Sequence, residues 1–216
     1  MTKSTYSFTF LVLTLLFCVC LIVSNLMEIK VVNLGALTVT AGVAVFPISY
    51  IINDCIVELY GFRKARTVIW LGFAMNMLVS LLLQVGILLP GAPEWAGQDA
   101  MQLIFGAVPR IFAASFTAFL CGSMANAYVM ARMKASSPNG RRFSLRAIVS
   151  TLWGEGIDSL IFFPMAFAGS LPWRVIATLI VTQIIIKTAY EIIVLPITIQ
   201  AVKYLRKAES ASQIYE

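Results

Sequence analysis

The chain has no histidine among its 216 residues. Histidine is the commonest metal ligand and the usual general base near neutral pH. Its absence excludes metalloproteases with an HExxH motif and argues against hydrolysis at a zinc ion. The sequence also lacks a GxxxxGK[ST] motif, so this chain does not hydrolyse ATP by that route. We therefore expect no catalytic residues, no metal and no cofactor.

Cysteine is scarce as well, and its positions exclude a second kind of site. The four cysteines are Cys18, Cys20, Cys55 and Cys121, and each lies inside an apolar run. Free cysteines in such surroundings pack as small hydrophobic residues. Their spacing supports neither a disulfide framework nor a metal cluster.

Charged residues make up only 12% of the chain, whereas hydrophobic residues make up 60%. A soluble globular domain has about 25% charged residues. A helix needs about 20 apolar residues to span a bilayer, and about six such helices with short connections use up nearly the whole chain. We therefore predict an all-α, polytopic integral membrane protein whose residues 1–216 form a single transmembrane domain.

The apolar runs are separated by glycine, proline and basic clusters, which are typical of connections. We predict helices at roughly 8–27, 41–60, 67–89, 108–132, 145–168 and 173–204, with a polar tail at 208–216. The first run resembles the hydrophobic part of a signal peptide. It is long for one, and no A-x-A-like cleavage site follows it. We expect it to be retained as the first helix.

Basic residues are distributed unequally between the two sides of this arrangement. Twelve lie at the termini and in the second and fourth connections, three lie on the other side, and Lys187 lies within a helix. Cytoplasmic loops of membrane proteins carry the excess of Lys and Arg, so both termini are predicted to face the cytoplasm. The net charge of +6 is explained by this pattern, and we expect no nucleic-acid partner.

Three predicted helices carry ionisable residues at similar depth. With a rise of 1.5 Å per residue, Asp54 and Glu155 each lie roughly 13 Å from the cytoplasmic end of their helix. Intramembrane charges are costly and point to function by default. A shared polar cavity is the economical explanation. Its predicted lining is Asn53, Asp54 and Glu58 of the second helix, Glu155 and Asp158 of the fifth, and Gln183, Lys187 and Glu191 of the sixth.

The weaker candidates have structural alternatives. Glu58 lies near the cytoplasmic end of its helix and could extend towards the basic connection. Asn25, Arg110 and Trp153 are predicted either to line the cavity or to serve packing and anchoring. Pro47, Pro164 and Pro196 fall within the three charged helices, and interrupted helices mark binding sites in transporters.

The charges indicate a class of ligand. Ionised carboxylates only accept hydrogen bonds, and one carboxylate matches two adjacent N–H donors, such as those on the edge of a guanine-like ring. A cationic ligand would also suit the site, whereas an anionic ligand would not, because carboxylates outnumber the single ammonium of Lys187.

The motif-bearing stretches resemble the queuosine precursor transporter family, also called the vitamin uptake transporter family. They are IVSNLM at 22–27, FPISYIINDCIVELYGFRKAR at 46–66, STLWGEGIDSLIFFPMAF at 150–167 and QIIIKTAYEIIVLPIT at 183–198. The resemblance implies import of 7-cyano-7-deazaguanine, 7-aminomethyl-7-deazaguanine or queuine across a bacterial cytoplasmic membrane for queuosine salvage. It also implies that the charged residues named above line the site.

Several mechanisms and roles stay open from the sequence. A secondary importer, with proton coupling through a buried carboxylate, is one. A binding subunit that needs an ATP-driven partner is another, and the family is similar in architecture to such subunits of energy-coupling-factor transporters. An intramembrane aspartyl protease is not expected, because the GxGD motif is missing. Assembly into a homodimer is left open.

Overall fold

The computed structural model describes residues 7–35, 37–135 and 143–212. Long helices dominate this part of the chain, as the composition predicts. They are α1 (Phe8–Met27), α2 (Phe46–Tyr60), α3 (Phe62–Leu88), α4 (Gln98–Phe105), α5 (Val108–Ala135), α6 (Phe143–Phe167) and α7 (Trp173–Ser212). Four helical stretches are long and apolar enough to cross a membrane: Phe8–Met27, Phe62–Leu88, Gln98–Asn126 and Trp173–Tyr190. The protein is a multi-pass membrane protein.

A short antiparallel hairpin between the first two helices is absent from the all-α prediction. Strands β1 (Val31–Leu34) and β2 (Leu37–Thr40) pair with Val31 opposite Thr40. A 3₁₀ turn at Ala41–Ala44 follows, and α2 begins only at Phe46. The hairpin returns the chain to the end of α1, where the Ala41 N–H donates to the Lys30 carbonyl at 2.8 Å.

Proline has different roles in the three charged helices. Pro164 and Pro196 lie inside α6 and α7, as predicted. The expectation of an internal proline in α2 is wrong, because Pro47 lies in the first turn of that helix. The N–H that proline lacks would be unpaired in a first turn anyway, so Pro47 starts α2 without interrupting it.

Tight turns pair neighbouring helices. Gly61 alone separates α2 from α3 and has a φ of 83°, a backbone conformation that glycine adopts without a steric penalty. Gly169, also at φ 83°, lies in the turn between α6 and α7. These short connections favour antiparallel neighbours.

The helices pack around two groups of buried apolar residues. One group joins α1, α2 and α3, with Ile56 and Phe73 among its members. The other joins α5, α6 and α7 around Ile111, Phe163 and Ile176. Phenylalanines of α3 and α5 join the two groups, since the Phe73 ring lies 5.1 Å from the rings of Phe116 and Phe119. Members of both groups line one cavity together with Asp158 and Lys187.

Candidate functional site

An ion-paired triad lies where α6 faces α7. The Lys187 ammonium on α7 lies 2.8 Å from Asp158 Oδ2 and 3.0 Å from Glu155 Oε2, both on α6. The three side chains are only 10–22% exposed. The ammonium also lies 5.6 Å from the centre of the Phe46 ring at the start of α2, which is within the range of a cation–π contact.

The triad borders a cavity of about 250 Å³, here called the polar cavity. Each helix contributes one face to it, with residues spaced three or four apart, as helical geometry requires. The polar lining residues are Asp54 of α2, Ser123 and Asn126 of α5, Thr151, Glu155 and Asp158 of α6, and Gln183, Lys187, Tyr190 and Thr198 of α7.

A second cavity of about 480 Å³ shares Lys187, Asp158 and Gln183 with the polar cavity. We call it the aromatic cavity because phenylalanine dominates its wall. Its phenylalanines are Phe17, Phe46, Phe62, Phe73, Phe119, Phe162 and Phe163. Its polar lining includes Glu28, Ser49 and Asn53. Apolar walls with a few placed polar groups are typical of small-molecule sites, and the volume lies within their usual range of roughly 300–1,000 Å³.

Six of the predicted site residues from three helices come together around these cavities. Asp54 and Glu155 border the polar cavity, whereas Asp158, Gln183 and Lys187 border both. Asn53, next to Asp54, borders the aromatic cavity. Gln183 is 3% exposed, and its side-chain oxygen has no hydrogen-bond partner among the described residues.

Other predicted residues lie elsewhere. Glu58 is exposed and borders neither cavity, and Trp153 is 56% exposed and also lies outside them. Arg110 donates its Nε hydrogen to the Met165 carbonyl at 2.6 Å, so it joins α5 to the end of α6. Asn25 is buried in α1 but borders neither cavity. The side chain of Glu191 lies outside the described residues.

Glu28 is a member of the aromatic cavity's wall that sequence reasoning missed. It follows the last residue of α1 and is 0% exposed. The signal was its spacing, because Glu28 is four residues after Ser24 and three after Asn25, on one helix face. Its place just beyond the apolar run made it look like part of a loop.

Comparison with known proteins shows the family of this chain. The family described as "Putative vitamin uptake transporter" matches residues 40–201. The "Probable queuosine precursor transporter" of Bacillus subtilis (strain 168) is 31% identical over 189 residues, which cover 88% of this chain and 82% of that protein. This chain belongs to the queuosine precursor transporter family. It is a membrane transporter and not an enzyme.

A second relative of this transporter is the "Queuosine precursor transporter" of Escherichia coli (strain K12). It is 32% identical over 149 residues, which cover 69% of this chain and 62% of that protein. No solved structure matches this transporter. The family match includes α2, α5 and α6 with most of α7, and these helices carry the polar cavity and the ion-paired triad.

Proposed function

We propose that this transporter imports a 7-deazaguanine precursor of queuosine across the bacterial cytoplasmic membrane. The observation that carries the proposal is the ion-paired triad at the wall shared by the polar and aromatic cavities. The names of both relatives, which specify queuosine precursors, support the same substrate class. The candidate substrates are 7-cyano-7-deazaguanine, 7-aminomethyl-7-deazaguanine and queuine.

The chemistry of the two cavities suits such a base. Aromatic side chains such as Phe46 and Phe119 offer ring faces against which a flat bicyclic molecule can stack. Carboxylates accept N–H donors, and the Lys187 ammonium donates to a carbonyl oxygen. A 7-deazaguanine has adjacent N–H donors and a carbonyl oxygen on one edge. The lining residues therefore include complements for its faces and for its polar edge.

The proposed orientation places both termini in the cytoplasm, with six helices spanning the membrane. The distribution of Lys and Arg supports this orientation. In the same arrangement α2 and α6 span the membrane with α1, α3, α5 and α7. Lys187 then lies in the middle third of α7, and the triad lies at a depth in the membrane that a carried molecule must pass.

We further propose that the chain works as a secondary importer and that transport is coupled to protons. The excess of carboxylates over ammonium groups around the cavities supports coupling, because a buried carboxylate can be neutralised by a proton. The experiment is uptake of the three 7-deazaguanines into liposomes that contain only the purified chain, with and without a protonophore. Uptake that the protonophore does not change would overturn proton coupling.

The same liposomes test the alternative of a binding subunit. If the purified chain binds a 7-deazaguanine but does not transport it alone, an ATP-driven partner is needed. If it binds none of the three in a thermal-shift assay, the proposed substrate class is wrong. A ligand that binds only the folded state raises the melting temperature by mass action, so binding is measured separately from transport.

A further inference from the structure

Glu28 is a fully buried carboxylate whose acceptor capacity the described residues do not fill. It is 0% exposed, neither Oε1 nor Oε2 makes a hydrogen bond of regular geometry there, and the Thr40 hydroxyl is a neighbouring group that can donate to it. It borders the aromatic cavity together with Lys187. The Lys187 ammonium is engaged elsewhere, within 3.0 Å of both Glu155 and Asp158.

An unpaired carboxylate is expensive to bury, and buried polar groups in folded proteins are nearly always hydrogen-bonded. The Thr40 hydroxyl has one hydrogen to donate, whereas a carboxylate has about four acceptor positions. Most of the acceptor capacity of Glu28 is therefore left for a donor from outside the described chain. Because it borders a cavity, a ligand in that cavity can supply the donor. A cavity lined by phenylalanine also excludes most competing water, which strengthens any hydrogen bond formed there.

The surroundings of Glu28 hold its carboxylate in place. The hairpin brings Thr40 and Gly42 against the end of α1, and both are buried. A Cβ atom at Gly42 would overlap with Glu28 Oε1 and would lie 2.9 Å from the Ser24 carbonyl oxygen. Only glycine at this position leaves room for the carboxylate.

We propose that Glu28 is a specificity-determining residue that accepts the two adjacent N–H donors of the substrate's base. This inference rests on the proposed function. The two oxygens of one carboxylate match an N–H and an amino group side by side on a ring edge. Lys187 and its two carboxylates then contact other polar groups of the same molecule. The class selected is a planar heterocycle with an amidine-like edge.

The test compares two ligands on two proteins. The ligands are 7-cyano-7-deazaguanine, which is neutral, and its analogue without the exocyclic amino group. The proteins are the wild type and Glu28→Gln, with the exposed loop change Glu94→Gln as the matched control. Dissociation constants are measured on detergent-purified full chain by calorimetry, beside the melting temperature without ligand.

We expect the wild type and Glu94→Gln to bind the amino-bearing ligand at least about tenfold more tightly than the analogue, which is the range for a hydrogen bond to a charged group. Glu28→Gln should reduce this preference to less than about threefold. Its melting temperature without ligand should stay equal or rise, because the change removes a buried charge. Gly42→Ala, which displaces the carboxylate, should reduce the preference in the same way.

Two results would overturn the inference while leaving the proposed function intact. One is a Glu28→Gln protein that keeps the full preference for the amino-bearing ligand. The other is an equal loss for both ligands with a lowered melting temperature, which would indicate a structural role for Glu28. If the wild type binds neither ligand, the proposed function fails as well, and that result is recognisable from the wild type alone.

Discussion

The ammonium of Lys187 on α7 lies 2.8 Å from Asp158 Oδ2 on α6 and holds the two helices together at the wall shared by both cavities. Glu155, one turn before Asp158, lies 3.0 Å from the same ammonium. One cation thus serves two carboxylates. A ligand donor that binds either carboxylate can take over part of the cation's role, so the triad can respond to substrate.

Replacing Lys187 by methionine should destabilise the protein strongly. The change leaves two neighbouring carboxylates without their cation in a poorly exposed site, and removing one partner of a buried ion pair costs about 3–5 kcal/mol. We expect a clear fall in the melting temperature of the detergent-purified protein and loss of 7-deazaguanine uptake.

Lys203→Met on the exposed part of the same helix controls for the loss of a lysine and should change neither quantity much. Glu155→Gln added to Lys187→Met should recover part of the lost stability, since it removes one unpaired carboxylate. If this second change does not raise the melting temperature, the ion pair between Lys187 and Glu155 does not contribute to stability as stated here.

Asp158→Asn should weaken binding more than Glu155→Gln. Both variants leave Lys187 one carboxylate partner, but Asp158 borders both cavities and Glu155 borders only the polar cavity. Loss of a charged acceptor costs about 1.5–3 kcal/mol, so the dissociation constant of Asp158→Asn should rise by roughly 10- to 100-fold. Calorimetry measures this, with Asp99→Asn in the exposed first turn of α4 as the matched control. Equal losses in the two variants would argue against the different roles.

Sequence reasoning brought Asp54, Glu155, Asp158 and Lys187 together because helical spacing and depth in the membrane are local quantities. Each residue's height follows from its distance to the helix end, and charged faces must avoid lipid. The structure places these four around one cavity. Their predicted depth could be obtained without knowing the angles at which the helices cross.

Glu28 was missed because its burial depends on a non-local contact. The hairpin at 31–40 lies in a stretch that reads as a loop, and only its pairing brings Thr40 and Gly42 back over the end of α1. The same hairpin explains why α2 starts at Phe46 and not near residue 41. Strands of four residues carry little pattern, so neither the hairpin nor its consequence could be read from periodicity.

Phe46→Leu should reduce affinity for a flat base while leaving the fold intact. The Phe46 ring borders both cavities and contacts the Lys187 ammonium. Stacking of a base on an aromatic side chain contributes about 1–3 kcal/mol, so the dissociation constant should rise by roughly 5- to 100-fold. The same change at Phe8, which is 79% exposed, is the control. Equal affinity in Phe46→Leu and wild type would exclude stacking on this ring.

The orientation of the chain can be checked by labelling. In a background where the four native cysteines are replaced by alanine, Glu94→Cys in the exposed loop should react with a membrane-impermeant maleimide in intact spheroplasts. Lys203→Cys should react only after the membrane is opened, because the proposed orientation places the basic connections and termini in the cytoplasm. The reverse pattern would invert the proposed orientation.

The close approach of α5 and α6 predicts opposite effects for one substitution at two glycines. A Cβ atom at Gly122 would lie 2.8 Å from the Gly154 carbonyl oxygen and 3.0 Å from the Asp158 Cβ. Gly122→Ala should therefore push α6 away, move Asp158 from Lys187 and cost about 1–3 kcal/mol, as overpacking does.

At Gly156, on the same helix as Asp158, no described residue beyond the surrounding backbone of α6 lies within 4 Å of the added Cβ. Gly156→Ala should stabilise α6 by up to about 1 kcal/mol, because alanine loses less backbone freedom in a helix. Melting temperatures and uptake of the two variants decide the point. If both changes stabilise the protein, α5 and α6 do not approach closely at Gly122, and the position of Asp158 does not depend on that contact.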